Sequence, residues 1–263
     1  MLVDSHCHLN KLNLTRYGGK LESLIEKTKT EGIEYILCIG LNLVDKPEII
    51  GITNRFDNVS ASLGLHPNEA VQGEHEPTVM ELAESVDHAN VVSVGETGLD
   101  YCSYSSEIDL NTMRDRFRRH IQAAIKVHKP LVIHSRNAQT DTIQIMQEEK
   151  AELVGGVVHC FTENLETAKQ AINLNFYISF SGIVTFKNAG NVAEVAKQIP
   201  LEKMLIETDA PYLTPVPFRG KNNEPQYVRY TAECIAKLKN TSLYEVAKKT
   251  TENFYRLFLS NRS

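Results

Sequence analysis

The stretch Val3-Asp4-Ser5-His6-Cys7-His8-Leu9 lies almost at the start of the chain, and its reading decides the fold. Its pattern predicts a short strand over residues 3–9. A strand sends alternate side chains to opposite faces, so His6 and His8 are expected on one face with Asp4 beside them. Two imidazoles on one strand face form a natural pair of metal ligands. Two polar residues on a solvated edge strand would read the same way locally, and the rest of the chain separates the two readings.

Seven further strand-like runs follow, at residues 33–39, 59–63, 91–94, 131–133, 157–159, 176–180 and 204–206. Helical spacing fills the intervals, from a Leu21, Leu24, Ile25 stripe at 21–30 to a long helix at 112–128 and, near the end, two helices at 243–249 and 251–259. Eight strands alternating with helices predict an α/β chain folded as a (β/α)₈ TIM barrel. Barrels of this kind take about 250 residues as a single domain. The rival is a doubly wound sheet. No internal repeat or low-complexity segment appears, and no linker is long enough to divide the 263 residues.

Polar residues punctuate the strand ends: His6 and His8 on the first strand, Glu96 after the fourth, His134 after the fifth, His159 closing the sixth, Asp209 after the eighth. In a barrel these ends meet at one mouth, where active sites lie. Four histidines and two carboxylates gathered there would be a costly polar cluster without a cation. Six protein ligands exceed the needs of one tetrahedral zinc. They suit two divalent metal cations sharing a carboxylate at roughly 3.5–4 Å separation. Mixed imidazole and carboxylate donors do not choose among Zn, Mn, Mg, Fe and Ni.

Composition sets outer bounds. A net charge of −5 argues against a protein that coats nucleic acid, though not against a nucleic-acid substrate held by a local patch. The cysteines, at 7, 38, 102, 160 and 234, form no Cys-x-x-Cys, so neither a disulfide framework nor a thiolate zinc site is indicated. No basic segment followed by an apolar run opens the chain, and no stretch reaches about 18 apolar residues. The expectation is a soluble cytoplasmic protein with no membrane and no obligate protein partner.

The ordered motifs Val-Asp-Ser-His-Cys-His-Leu (3–9), Gly-Leu-His-Pro (64–67), Gly-Glu-Thr-Gly-Leu-Asp-Tyr (95–101), Ile-His-Ser-Arg (133–136), Val-His-Cys-Phe-Thr (158–162), Tyr-Ile-Ser-Phe-Ser-Gly (177–182), Glu-Thr-Asp-Ala-Pro-Tyr-Leu (207–213) and Arg-Gly-Lys-Asn-Asn-Glu-Pro (219–225) span the chain. With them the sequence resembles the TatD family of metal-dependent hydrolases, within the amidohydrolase-like barrels, and most closely its YcfH-type members. The resemblance implies that His6, His8, Glu96 and Asp209 hold one metal and Glu96, His134 and His159 the second. It also implies a divalent-metal-dependent deoxyribonuclease, often 3′→5′ exonucleolytic, with DNA as substrate and RNA left open. The chain departs from the pattern at Cys102, where a second tyrosine is frequent, and at Asn222, where a charged residue is common.

The expected chemistry is metal-assisted hydrolysis of a phosphodiester. Glu96 and Asp209 are candidate catalytic carboxylates, Asp209 orienting the water and accepting its proton. His66 is a candidate for a phosphate oxygen or the leaving group. Arg136, two residues from His134 and so on the same face, could fork onto a phosphate. Arg219, Lys221 and Asn223, on the loop after the eighth strand, are expected to guide a nucleic-acid backbone. Asp4 and Glu207 are expected to hold imidazole tautomers, and Tyr101, Tyr104 and Phe161 to stack bases or pack the mouth. Cys7 and Cys160 should point away from the metals as inert thiols, and the basic run 114–119 reads as a solvated helix face. The alternative function is hydrolysis of a small ester, lactone or phosphotriester on the same barrel. Such barrels often bridge their metals with a modified lysine on strand four, where this chain offers Glu96. A metal-dependent binding protein without catalysis is the remaining alternative.

Overall fold

The computed structural model describes residues 1–71, 75–102 and 109–260. Eight parallel strands pair in sequence order: β1 (Leu2–Cys7), β2 (Ile33–Ile39), β3 (Val59–Leu63), β4 (Val91–Asp100), β5 (Leu131–Arg136), β6 (Gly156–Val158), β7 (Phe176–Phe180) and β8 (Met204–Ile206). The ring closes where the chain leaving β8 meets the end of β1. There Asp209 N donates to His6 O at 2.9 Å and His8 N to Ala210 O at 2.8 Å. The doubly wound alternative is thereby excluded, and the chain is a TIM barrel.

The helices among the described residues are α1 (Leu21–Thr30), α2 (Lys46–Thr53), α3 (Val79–Ser85), α4 (Leu110–Val127), α5 (Gln139–Glu148), α6 (Leu165–Asn173), α7 (Gly190–Gln198), α8 (Val228–Leu238) and α9 (Leu243–Phe258). Side-chain oxygens of Thr78, Asp109, Asn164 and Ser242 accept from first-turn amides of α3, α4, α6 and α9. These bonds satisfy donors that have no partner inside the helix. α9 is one helix where the sequence suggests two. Thr250 does not break it, because its hydroxyl donates to Val246 O at 2.9 Å, and the buried stripe Val246, Thr250, Asn253, Phe254, Phe258 runs through.

Two apolar layers result. Val3, Leu37, Val92, Val132, Val157, Tyr177 and Leu205 fill the barrel interior, plugged from below by Phe254 and Phe258 of α9. Ile36, Cys38, Ala61, Leu63 and Ile133 pack outward on Leu24, Ile49, Phe117 and Ile121. β1 is not a regular strand. Val3 faces the interior while Cys7 lies in the barrel–helix layer, and the pairing with β2 slips between Asp4 and Cys7. Simple alternation from Val3 would have turned both histidines out of the barrel. The slip reverses the alternation and turns His6 and His8 into the mouth. Among the described residues no helix is long and apolar enough to cross a membrane.

Candidate metal centre

The end of β1 supplies His6 and, one residue on, His8; β5 supplies His134; His159 follows β6; Asp209 follows β8 at φ 57°. Glu96 lies inside β4, not beyond it, because β4 runs on to Asp100. Two glycines bring β4 unusually close to β5. A Cβ on Gly98 (φ +135°) would meet His134 O at 2.0 Å, and one on Gly95 (φ +142°) would meet Val132 O at 2.4 Å. No other residue type fits that approach.

The six expected ligands converge. Glu96 Oε1 lies 2.8 Å from His159 Nε2, 3.0 Å from His134 Nδ1 and 3.4 Å from His66 Nε2, and its Oε2 is 3.3 Å from His6 Nε2. Asp209 Oδ1 is 3.3 Å from His8 Nε2 and 3.7 Å from His6 Nε2. Donor atoms of His6, His8 and Asp209 lie within 4.8 Å of one another, as do those of His66, Glu96 and His134, and those of His6, His159 and Glu207. A cavity of about 490 Å³ opens over this floor, lined also by Arg136, Tyr212 and Ile183.

The donor set fits cations better than it fits itself. His8 Nδ1 is 3.0 Å from Ile39 O, His159 Nδ1 3.2 Å from Glu207 Oε1, and His134 Nε2 3.1 Å from Asp100 Oδ2. A neutral imidazole has one N–H, and those outer acceptors claim it. The inner nitrogens, His8 Nε2, His159 Nε2 and His134 Nδ1, are then lone pairs turned toward Glu96, Asp209 and one another. Lone pairs facing carboxylates and each other repel unless a cation sits between them. His6 sharpens the point: it is fully buried, both its ring nitrogens lack a hydrogen-bond partner, and it stacks on His159 at 3.9 Å. Burial alone would raise the Glu96 carboxyl; with no cation present, only imidazoles charged by protonation, His159 foremost, hold it well below the ordinary carboxylate range, the part a metal ion would otherwise play. Asp209 behaves alike: burial raises it, and with no cation present a His8 and a His6 charged by protonation bring it below its ordinary value. Both carboxylates are therefore ionised and ready for a cation.

Other expected residues fall into place unevenly. Arg136 lines the cavity, as its spacing from His134 suggests. Arg219 and Lys221 stand on the exposed loop beyond β8, Arg219 over the Phe186 ring at 3.9 Å and Lys221 over Phe218 at 5.4 Å. Asn223 is 1% exposed and is not among the residues that line the cavity. Its Nδ2 donates to Thr208 O at 2.8 Å and Tyr212 O at 2.5 Å, which ties the long loop to the turn bearing Asp209. Glu207 holds His159, as expected, and also accepts from Cys160 N at 2.8 Å. Asp4 does not hold an imidazole. It accepts from Thr208 N at 2.8 Å and Thr208 Oγ1 at 2.5 Å, because it precedes the slip in β1 and so faces away from the barrel interior that Val3 fills. Burial pushes its carboxyl up to about 8.

Cys7 is buried in the barrel–helix layer, but Cys160 lines the cavity. β6 ends at Val158 and Cys160 takes φ 43°, so strand alternation no longer governs it. Phe161 is buried, Tyr101 donates to Asp141 at 2.5 Å, and Tyr104 lies outside the described residues. The aromatic that does border the cavity is Tyr212, 49% exposed and edge-on to His8. Only its place three residues after Asp209 could have marked it.

α4 corrects another reading. Arg116 is 2% exposed, not solvated. Its guanidinium donates to both Glu76 oxygens and to the carbonyls of His66 (3.1 Å), Pro67 (3.2 Å) and Glu69 (2.9 Å). One turn on, His120 Nε2 accepts from Leu65 N at 3.0 Å. α4 thus shapes the loop that presents His66.

Comparison with known proteins agrees with this geometry. The family model described as TatD related DNase matches residues 3–259. The metal-dependent hydrolase YabD of Bacillus subtilis is 44% identical over 261 residues, covering 99% of this chain and 100% of its own. The metal-dependent hydrolase YcfH of Escherichia coli K12 is 42% identical over 258 residues, covering 98% of this chain and 95% of its own. Among solved structures, the TatD homologue YjjV of Escherichia coli K12 shares the fold at a TM-score of 0.88 and 23% identity, over 98% of this chain and 97% of that one. A barrel mouth built for cations, in a chain matched almost end to end by these hydrolases, has one conclusion: the protein belongs to the TatD family of metal-dependent hydrolases.

Proposed function

We propose that this hydrolase cleaves phosphodiester bonds in DNA, working from 3′ ends, with two divalent cations. One would be held by His6, His8, Glu96 and Asp209, the other by Glu96, His134 and His159. The observation that carries the reading is the convergence of four imidazoles on Glu96, three of them within 3.4 Å of one oxygen. The family description as a DNase supports the substrate class.

Cations bound there supply Lewis acidity and bring the pKa of a bound water toward about 7. The protein supplies the rest. Asp209, ionised and bordering the cavity, orients the attacking water and accepts its proton. The water oxygen bonds to phosphorus, the P–O3′ bond breaks, and the departing 3′ oxygen takes a proton from solvent, which releases a 5′-mononucleotide and leaves a 3′-hydroxyl on the shortened strand. His66 Nδ1 accepts from Asn68 N at 3.2 Å, so its proton resides on Nε2. A neutral Nε2–H facing the cavity suits a hydrogen bond to a phosphate oxygen better than proton delivery to the leaving group. Arg136 forks onto a non-bridging oxygen from the cavity wall, and Arg219 and Lys221 steer the strand outside it.

The test uses chelator-stripped protein, restored with Zn²⁺ or Mn²⁺, on end-labelled single-stranded and duplex DNA, on RNA, and on a lactone panel. The expected result is stepwise shortening of DNA from the 3′ end, restored by cation and reduced at least about 10³-fold in Glu96→Ala. Turnover of lactones with no cleavage of nucleic acid would replace this reading by the small-molecule one.

A further inference from the structure

Asp100 closes β4, four residues beyond Glu96, and is 2% exposed. Its two oxygens are engaged on both sides. Oδ2 accepts from His134 Nε2 at 3.1 Å and from Asn68 Nδ2 at 3.0 Å, and Oδ1 accepts from Cys102 N at 2.9 Å. Asn68 in turn points its backbone N–H at His66 Nδ1. Both imidazoles meet again at Glu96 Oε1, His134 through Nδ1 and His66 through Nε2. The contacts form a closed circuit: Glu96, His134, Asp100, Asn68, His66, and back to Glu96. It joins β4, β5 and the loop after β3.

We infer that Asp100, with Asn68, is the positioning residue of this half of the centre, setting at once the ring of the metal ligand His134 and the ring of His66. Two features set it apart from an ordinary buried carboxylate. First, Glu207 plays a comparable part for His159 but serves one imidazole, whereas Asp100 reaches two, one directly and one through Asn68. Second, the three donors to Asp100 among the described residues are N–H groups. An amide in its place has one oxygen, and its NH₂ must face a donor on one side. A carboxylate behind an imidazole fixes ring orientation and raises its basicity as a ligand. Loss of such a partner typically weakens metal affinity by about 10–100-fold.

The inference rests on the two-cation reading above. The probe is Zn²⁺, titrated into the full-length stripped chain against a chromophoric chelator. Ring ¹⁵N signals of the histidines are followed in the zinc-loaded protein. Wild type is expected to bind two zinc ions. D100N should keep the first at wild-type affinity and lose about 10–100-fold on the second. In D100N the ring signals of both His134 and His66 should move while those of His159 stay. Asn68→Ala should displace His66 with a smaller loss of zinc, and the double variant should lose no more than D100N alone. Equal affinities in wild type and D100N overturn the inference alone, as does an equal weakening of both sites. A wild type that binds a single zinc overturns the two-cation reading with it. Should D100N fail to fold, Asn68→Ala decides by the same readouts: an unmoved His66 ring refutes the circuit.

Discussion

His120 yields a prediction that needs no metal. It is fully buried on α4, with Nδ1–H donating to Arg116 O at 2.8 Å and Nε2 accepting from Leu65 N at 3.0 Å. Only a neutral ring does both. Burial pushes its pKa from 6.5 down to about 4. The bond to Arg116 O opposes this, and the charges of Arg116 and Arg119 add to it. The unfolded chain takes up the proton near 6.5 and the folded chain only near 4. In that window the unfolded state binds more protons, so stability falls as pH falls, and the loss is complete below about 4. Two and a half pH units at about 1.36 kcal/mol each amount to about 3 kcal/mol, a large share of the roughly 5–15 kcal/mol of a typical domain. The assay is urea unfolding of chelator-stripped wild type and His120→Gln between pH 7 and 4. Every other titrating group is common to both, so the difference isolates His120. The variant should start about 1 kcal/mol less stable at pH 7 for its poorer hydrogen bonds and overtake wild type by pH 4. Parallel stability curves across the window would refute the reasoning.

Three further outcomes follow from the same geometry. Arg116→Met strips the donor from Glu76 and three loop carbonyls and should cost about 3–5 kcal/mol; amides of residues 65–70 should lose hydrogen-exchange protection before those of β3, and uniform loss would count against a local role. Gly98→Ala drives a methyl into His134 O and should cost at least about 3 kcal/mol in thermal or urea unfolding; a change under 1 kcal/mol would contradict the close approach of β4 to β5. Asn223→Ala should lower stability by about 2 kcal/mol, whereas Arg219→Ala with Lys221→Ala should leave stability alone, raise KM for DNA and flatten its salt dependence; a reversed pattern would return Asn223 to the substrate.

Local signals in the sequence settle the architecture and the ligand types. Eight short β-rich runs between amphipathic segments carry a period that depends only on neighbouring residues, and five of them carry or lead into a residue whose chemistry is independent of its surroundings. His6, His8, Glu96, His134, His159 and Asp209 are legible on that basis. Orientation is another matter. The slip in β1 that turns the two histidines inward arises from pairing with β2, and no period within residues 3–9 reports it. Arg116 reads as one more charge on a basic helix. Its burial depends on Glu76 and the His66 loop, about 40–50 residues away in sequence. Asn223 and Asp4 look like a surface amide and a ligand's neighbour until the chain around Asp209 folds onto them. The circuit through Asp100 joins residues up to 68 positions apart, from His66 to His134. Contacts between distant segments leave no periodic trace in a single sequence, because neither partner's local preference changes when they meet. The kinds of residues at the mouth were thus written in the chain, and their facing and partners were decided only by closing the barrel.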